Sequence, residues 1–493
     1  QSVHEKVLGA IIRLLKEPHA DIDTQIETMR VLAKLTKNHE SLQQSAAENN
    51  AVALLTKHFV PESAKTNGLL QASLIAMAAI CSKSDLARKQ VVKLGVKWES
   101  VVSCLQHDDV ELRRAATACI LSISRSVGTL RTTLVESGVT KPLCNMFDDD
   151  DMKVRCTAVA AICNLVMEFS PAKKLAMDLG VIAKLVKGTF STHEELRLSC
   201  VWGLKNLLFE ADSPDASVTK SRVMDALTWP QLWNLVNDES ESVQEQAIGT
   251  LRNLVYGSET DISQAFRACG GATLFFEMLE KKIAVCNGRC IEQLLFVLCN
   301  VTAGTAVEHK EQILARGELV NLVVARLTHE SARVKVAALW CIINITAPEV
   351  SGSKLRQNEL MKHDILTIIA SLSTMDDLDV KDRSRTVVEQ FAFHGFDAQN
   401  FNLGDLNNQK SDSASGGQPS ATDAMDIDSN NSINNNNNTN NNNNNINNNH
   451  NHDDNNDIDN NNDNNDDDNG GNDNDNNTNT NTNTTTNDNS EDR

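Results

Sequence analysis

The chain has 493 residues, of which 40% are hydrophobic, and its formal net charge is −20. The charge is unevenly placed, because residues 405–493 contain 18 acidic and 2 basic side chains, whereas residues 1–404 contain 48 and 44. A nearly neutral body argues against general affinity for nucleic acid, which requires a basic face. The lack of a run of about 18 apolar residues argues against a membrane-spanning segment.

A four-residue phrase recurs along the body: a hydrophobic residue, any residue, an asparagine and another hydrophobic residue. We call its five asparagines the rung asparagines: Asn164, Asn206, Asn253, Asn300 and Asn344. They are 42, 47, 47 and 44 residues apart. A period in the forties with helical patterning is typical of a solenoid of stacked helical repeats. Such a fold offers a long surface for holding another chain rather than an enclosed catalytic pocket.

One unit, residues 179–208, shows the pattern within a period. Gly180 ends one helix and opens the next, a polar turn spans 190–195, and apolar residues at helical spacing fill 196–208. Equivalent glycines stand at Gly95, Gly138, Gly270 and Gly317, where we expect positive φ. The period between Gly180 and Gly270 has lost its glycine, since residues 223–227 read Val-Met-Asp-Ala-Leu.

This unit resembles the armadillo repeat, which has a short first helix, a glycine turn, a second helix and a long third helix. Counting by the repeat period, we find weaker copies on both sides. The residue at the rung position is Ser122, Ser82 or Lys34 upstream and Gln390 downstream. The resemblance implies an all-α, right-handed superhelical solenoid of about nine armadillo repeats over residues 1–404.

Two rung asparagines have a tryptophan four residues earlier, Trp202 before Asn206 and Trp340 before Asn344. Residues four apart share a helix face. In armadillo proteins that bind extended peptides, this pairing lines the inner groove, where the amide can bond the ligand backbone. The alternative is that the asparagines only satisfy backbone groups between repeats and the tryptophans only pack. On the groove interpretation, changing Asn206, Asn253 and Asn300 to alanine should release a partner and leave the fold intact.

Basic residues near the starts of the third helices have a simpler interpretation. We expect these scattered side chains to be solvated rather than functional: Arg113, Arg114, Arg155, Arg197 and Lys335.

The sequence contains no motif that predicts chemistry. There is no glycine-rich phosphate loop, His-Glu-x-x-His or Gly-x-Ser-x-Gly. Cys286 and Cys290 lack two further ligands nearby, which makes them a weak zinc signal. We therefore predict no enzyme activity, catalytic residue, cofactor, metal site or small-molecule substrate.

The twelve cysteines all lie in residues 1–404, none in a Cys-x-x-Cys pair, and most within apolar helical patterns. This is how reduced cysteine behaves as a small buried hydrophobe. We therefore expect a reducing compartment, the cytoplasm and nucleus.

Beyond residue 404, asparagine and aspartate dominate, and apolar residues such as Ile433, Ile446 and Ile458 stand alone. Such a segment cannot bury enough apolar surface to offset the entropy of ordering. Residues 405–493 are therefore predicted to be a disordered, low-complexity tail. Self-association driven by asparagine is the alternative.

Several phrases are more specific than the repeat pattern. They are Ser122-Ile123-Ser124-Arg125-Ser126-Val127, Lys141-Pro142-Leu143 and the stretch from Cys163 to Pro171. These phrases are similar to those of the armadillo repeat-containing protein 8 family, and the resemblance extends over most of residues 1–404. That family has further N-terminal repeats. Because the chain starts at Gln1 with a helical pattern already present at 7–15, we expect it to begin inside a longer parent.

The resemblance implies a non-catalytic scaffold subunit of a GID/CTLH ubiquitin ligase. Such a subunit links the substrate receptor to the RING module for proteasome-dependent degradation. It implies protein partners, with no nucleic acid or membrane, and a partner-binding groove formed by Asn164, Trp202, Asn206, Asn253, Asn300, Trp340 and Asn344. The alternatives are an importin-α-like nuclear import adaptor, which shares the Trp-x-x-x-Asn pairing, and another armadillo interaction scaffold.

Overall fold

The computed structural model describes residues 3–59, 67–96, 98–125, 129–167, 171–209, 216–304 and 306–395. All regular elements in these ranges are helical, which confirms the all-α prediction. The predicted tail at 405–493 and the domain boundary at residue 404 lie outside the described residues.

The described helices form a leading pair and eight triplets. The pair is α1 (Val3–Leu15) and α2 (Ile22–Thr36). The first four triplets are α3 (Glu40–Glu48), α4 (Ala51–Thr56), α5 (Asn67–Cys81); α6 (Asp85–Lys93), α7 (Glu99–Cys104), α8 (Val110–Ser124); α9 (Thr129–Glu136), α10 (Thr140–Asn145), α11 (Met152–Leu165); and α12 (Pro171–Asp178), α13 (Val181–Gly188), α14 (Glu194–Leu207). The last four are α15 (Ala216–Leu227), α16 (Trp229–Val236), α17 (Glu241–Leu254); α18 (Glu259–Cys269), α19 (Ala272–Val285), α20 (Gly288–Thr302); α21 (Val307–Leu314), α22 (Gly317–Arg326), α23 (Ala332–Thr346); and α24 (Ser353–Met361), α25 (Ile365–Leu372), α26 (Leu378–Phe393).

The long third helices form one continuous layer. Each packs against the third helix of the next repeat, in the order α2, α5, α8, α11, α14, α17, α20, α23, α26. The described residues thus contain nine third helices, in agreement with the predicted nine repeats, and they include two helices of the first repeat. Since each repeat packs against its neighbours, the hydrophobic core runs continuously from repeat to repeat and has no single centre.

Apolar side chains at helical spacing explain why the third helices are central. Leu204, Leu251 and Ile342 are fully buried, and each lies two residues before a rung asparagine. Burial of such a side chain stabilises the fold by about 1.5–3 kcal/mol. In the described part of the chain, no helix has both the length and the hydrophobicity needed to cross a bilayer.

The turns into the second helices match the glycine prediction at most positions. Gly180 precedes α13 with φ 76°, and Gly95, Gly138 and Gly270 also have positive φ. Gly317 does not, because it is already the first residue of α22, so the prediction is wrong there. In the repeat that lost its glycine, Thr228 precedes α16 with φ 60° and ψ 149°. A β-branched residue is strained in that conformation.

Candidate partner-binding face of the third helices

The rung asparagines lie near the C-terminal ends of five consecutive third helices, α11, α14, α17, α20 and α23. Because these helices stack in sequence, the fold brings the asparagines into one row. The contacts that the asparagines make can therefore be compared from rung to rung, whereas their place in a partner-binding groove stays a prediction.

The side-chain amides bond to the preceding repeat in a regular way. The Nδ2 of Asn206 donates to the Cys163 carbonyl at 3.0 Å, and that of Asn253 to the Lys205 carbonyl at 3.1 Å. In both cases the acceptor belongs to the residue just before the preceding rung asparagine. Each side-chain amide therefore donates a hydrogen bond to one main-chain carbonyl near the C-terminal end of the preceding third helix.

The pattern continues towards the C-terminus. The Nδ2 of Asn300 donates to the Arg252 carbonyl at 2.9 Å, and that of Asn344 to the Cys299 carbonyl at 3.0 Å. The first rung differs, because the hydroxyl of Ser124 donates to the equivalent carbonyl, that of Leu121, at 3.0 Å. There Asn164 donates to the Ser124 hydroxyl at 3.0 Å.

Burial separates the rungs into two groups. The exposed fraction of Asn164 is 5%, of Asn206 3% and of Asn253 1%, whereas Asn300 and Asn344 are half-buried. The observed hydrogen bonds correspond to the second interpretation of the sequence, pairing of backbone groups between repeats. Contact with a partner remains a prediction. Alanine at Asn206 would remove the donor to the Cys163 carbonyl, and alanine at Asn253 would leave the Lys205 carbonyl only the N–H of Leu208. We therefore expect those changes to destabilise the fold, contrary to the expectation of an intact fold.

The tryptophans beside the rungs are largely covered. Trp202 is 6% exposed and Trp340 7% exposed. The guanidinium of Arg383, on α26, lies 4.6 Å from the ring centroid of Trp340, which is a cation–π distance. One face of the Trp340 indole is therefore already occupied by an arginine of the next repeat.

The glycine at the same position of α17 has a packing reason. A Cβ at Gly249 would come within 2.8 Å of the Lys205 side chain and 3.4 Å of the Gln293 Oε1. This rung lacks an aromatic residue because the stem of Lys205, from the preceding repeat, occupies the space.

Arg197 shows a contact that the sequence interpretation missed. Its guanidinium donates to both carboxylate oxygens of Asp238, in the next repeat, at 3.1 Å each. The same group donates to the Ser191 and Thr192 carbonyls of its own turn. With a side chain only 9% exposed, Arg197 is a brace between two repeats, so the prediction of a solvated arginine is wrong here.

Two arginines of α8 form similar bridges. Arg113 donates to both carboxylate oxygens of Asp149, at 2.8 Å and 3.1 Å. Arg114 pairs with Asp151, and this hydrogen bond lowers the pKa of the Asp151 carboxyl to about 2. The signal in the sequence is an arginine near the start of a third helix and an aspartate about one period later.

The cysteines agree with the prediction of reduced, packed thiols. All twelve lie in the described ranges and are free, and ten of them are buried. Cys286 and Cys290 are hydrogen-bonded to each other, which lowers the pKa of Cys286. Cys290 lies in the first turn of α20 and Cys286 at the end of α19, and the described residues bring no third metal ligand to them.

Comparisons with known proteins agree with this geometry. Residues 130–167, which cover most of the α9–α11 triplet, match the family model described as "Armadillo/beta-catenin-like repeat". A crystal structure of an engineered protein from the Northeast Structural Genomics Consortium superimposes with a TM-score of 0.60, covering 78% of this chain and 88% of its own, at 22% identity. The fold is an armadillo-repeat solenoid.

Relatives extend the armadillo assignment over most of the described solenoid. Armadillo repeat-containing protein 8 of Danio rerio is 28% identical over 407 residues, covering 78% of this chain. GID complex subunit 5 of Schizosaccharomyces pombe is 30% identical over 284 residues, 57% of this chain and 35% of its own. The predicted resemblance to armadillo repeat-containing protein 8 is thus confirmed. The chain spans 58% of the length of the Danio rerio protein.

Proposed function

We propose that this armadillo-repeat protein is a non-catalytic scaffold subunit of a GID/CTLH-type ubiquitin ligase. In this role it holds a substrate receptor near the RING module and so promotes proteasome-dependent degradation. The similarity to the protein named GID complex subunit 5 carries the proposal, because it spans more than half of this chain at 30% identity. The similarity to armadillo repeat-containing protein 8 over 407 residues supports it.

The physical properties of the solenoid suit this role. Hydrogen bonds from the rung asparagines and bridges such as Arg197–Asp238 join neighbouring repeats along the third-helix layer. A scaffold braced in this way keeps two bound proteins at a fixed separation. It thereby raises the effective concentration of substrate at the site of ubiquitin transfer.

We assign partner contact first to the C-terminal rungs. Asn300 and Asn344 are half-buried and therefore within reach of a segment lying on the third-helix layer. Asn164, Trp202, Asn206 and Asn253 are more deeply buried and support the layer from within. The buried thiols suit a reducing compartment, so we place the protein in the cytoplasm and nucleus.

Affinity purification of the tagged full-length chain, followed by mass spectrometry, tests the assembly. Recovery of RING and CTLH-motif proteins is the expected result. Recovery of a β-type importin with basic cargo, and of no RING protein, would contradict the ligase role and favour the import adaptor.

A double change, Asn300→Ala with Asn344→Ala, tests the assigned contact. We expect less receptor to co-purify, while the RING proteins, bound elsewhere, are retained. Asn237→Ala is the matched control, since this exposed asparagine follows α16 and its side chain donates to the Trp233 carbonyl of that helix, within one repeat. Unchanged receptor recovery from a folded double variant would rule out contact at these rungs.

A further inference from the structure

Three side chains with metal-binding chemistry meet between two consecutive repeats. Cys156 lies on α11, while His193 and Glu195 lie at the N-terminal end of α14. The Sγ of Cys156 is 3.9 Å from the Nδ1 of His193. The ligand atoms of all three residues lie within 4.8 Å of one another, and the described residues contain no other such group of three.

The position of His193 is a second indication. It is the N-cap residue of α14, where serine, threonine or aspartate usually accepts a hydrogen bond from the helix. The imidazole of His193 accepts no hydrogen bond from the first turn of α14 and contacts Cys156 instead. The polar end of the side chain therefore points towards the other two candidate ligands.

We propose that Cys156, His193 and Glu195 bind a zinc ion between the third and fourth triplets. Thiolate, imidazole and carboxylate are the three side-chain ligands that zinc takes in proteins, whereas magnesium and calcium require oxygen ligands. A water molecule completes the tetrahedron, because the described residues provide three ligands.

The geometry requires small side-chain movements and no movement of the helices. Metal–ligand bonds of about 2.0–2.3 Å place the corners of a tetrahedron about 3.3–3.8 Å apart. The 3.9 Å between Cys156 and His193 is already close to this separation. His193 and Glu195 are exposed and free to rotate, whereas the buried Cys156 provides the fixed corner.

The charges around the site are of both signs. Glu195 and Arg155 both lie close enough to Cys156 to act on its charge. The carboxylate of Glu195 attracts a cation, whereas the guanidinium of Arg155 repels it. Because these two charges offset each other, the zinc ion must displace the proton of the Cys156 thiol and so gain a second negatively charged ligand. On binding, the Cys156 S–H bond breaks, the sulfur bonds to zinc, and the proton passes to solvent. No electron transfer is involved.

Zinc in this position joins α11 to α14 directly. A ligand that binds the folded chain and not the unfolded chain raises the free energy of unfolding. We therefore expect added zinc to raise the Tm, and the zinc affinity to increase with pH because binding releases a proton.

The test uses the full chain after removal of metal by a chelator. Titration with zinc against a chromophoric chelator should give one tight site per chain, and cobalt should give a sulfur-to-metal charge-transfer band. We expect His193→Ala and Glu195→Gln each to weaken zinc binding by at least about tenfold. Cys156→Ala should remove the cobalt band.

Matched controls separate this site from adventitious binding. His39 is likewise an exposed N-cap histidine without a capping bond, so His39→Ala should leave the zinc affinity unchanged. Cys119 is a buried third-helix cysteine like Cys156, so Cys119→Ala should leave the cobalt band unchanged. Absence of tight zinc binding, or equal binding by the wild type, His193→Ala and Glu195→Gln, would overturn the proposal. The two surface variants decide the question even if Cys156→Ala does not fold.

Discussion

At the scale of single residues, Thr228 is the clearest departure from the repeat pattern. It holds φ 60° and ψ 149° before α16, at the place where Gly180 holds φ 76° before α13. Because glycine relieves the strain of a β-branched residue but adds freedom to the unfolded chain, we expect Thr228→Gly to raise the free energy of unfolding by about 1 kcal/mol. Equilibrium unfolding in urea measures this change.

Gly180→Ala is the companion variant. A Cβ at Gly180 meets no atom within 4 Å, so its effect comes from the backbone alone. We expect a loss of about 1–2 kcal/mol. A lower free energy of unfolding in Thr228→Gly would contradict the rise expected there, because the contacts of the threonine side chain would then stabilise the fold by more than its backbone strain destabilises it.

The lost glycine also shows the limit of sequence reasoning at this scale. Its absence between Gly180 and Gly270 is visible in the spacing of the repeat. Which residue takes over the turn is not visible, because threonine rarely adopts positive φ and only the backbone reveals Thr228.

At the scale of helices and turns, the arginine braces join one repeat to the next. Arg197→Lys keeps the charge but cannot bond both oxygens of Asp238 and the carbonyls of its own turn. We expect a loss of about 1.5–3 kcal/mol in the free energy of unfolding. Arg30→Lys is the control, since Arg30 is 46% exposed in a pair within one helix, and its change should stay within about 0.5 kcal/mol. Equal losses in both variants would contradict the bracing role.

The helices and their period could be predicted, because apolar spacing and turn residues are local in sequence. The braces were missed because each arginine and its aspartate are about one period apart, and the zinc ligands have no signal in the sequence. Arg197 and Asp238 are 41 residues apart, and Cys156 and His193 are 37 apart. Such pairs form only when the pitch of the solenoid aligns one repeat with the next. The row of rung asparagines was predicted because the same residue recurs, but the direction of their hydrogen bonds depends on side-chain packing.

At the scale of the whole molecule, buried thiols make the solenoid sensitive to alkali. Burial raises the pKa of Cys81 and Cys299 to about 12, from 9.0. Since the folded chain then holds these protons more tightly than the unfolded chain, the stabilisation is complete below pH 9.0 and is lost as the pH rises towards 12.

We therefore expect the free energy of unfolding to fall above pH 9.0, by about 1.4 kcal/mol per pH unit for each such thiol. Urea unfolding in the presence of a reductant, at several pH values below and above pH 9.0, measures the slope. Cys299→Ala should make the slope shallower. An unchanged slope in that variant would mean that the thiol is not protected from ionisation.

The stacking of the solenoid depends on the rung asparagines, which join each repeat to the one before it. The most direct measurement is the free energy of unfolding of Asn253→Ala in urea, beside the Asn237→Ala control. Asn253→Ala removes the 3.1 Å hydrogen bond from the amide to the Lys205 carbonyl, which then keeps only the N–H of Leu208, so we expect a loss of about 1 kcal/mol, against less than about 0.5 kcal/mol for the control. Wild-type stability in Asn253→Ala would contradict the claim, because the amide would then contribute nothing to the junction between repeats.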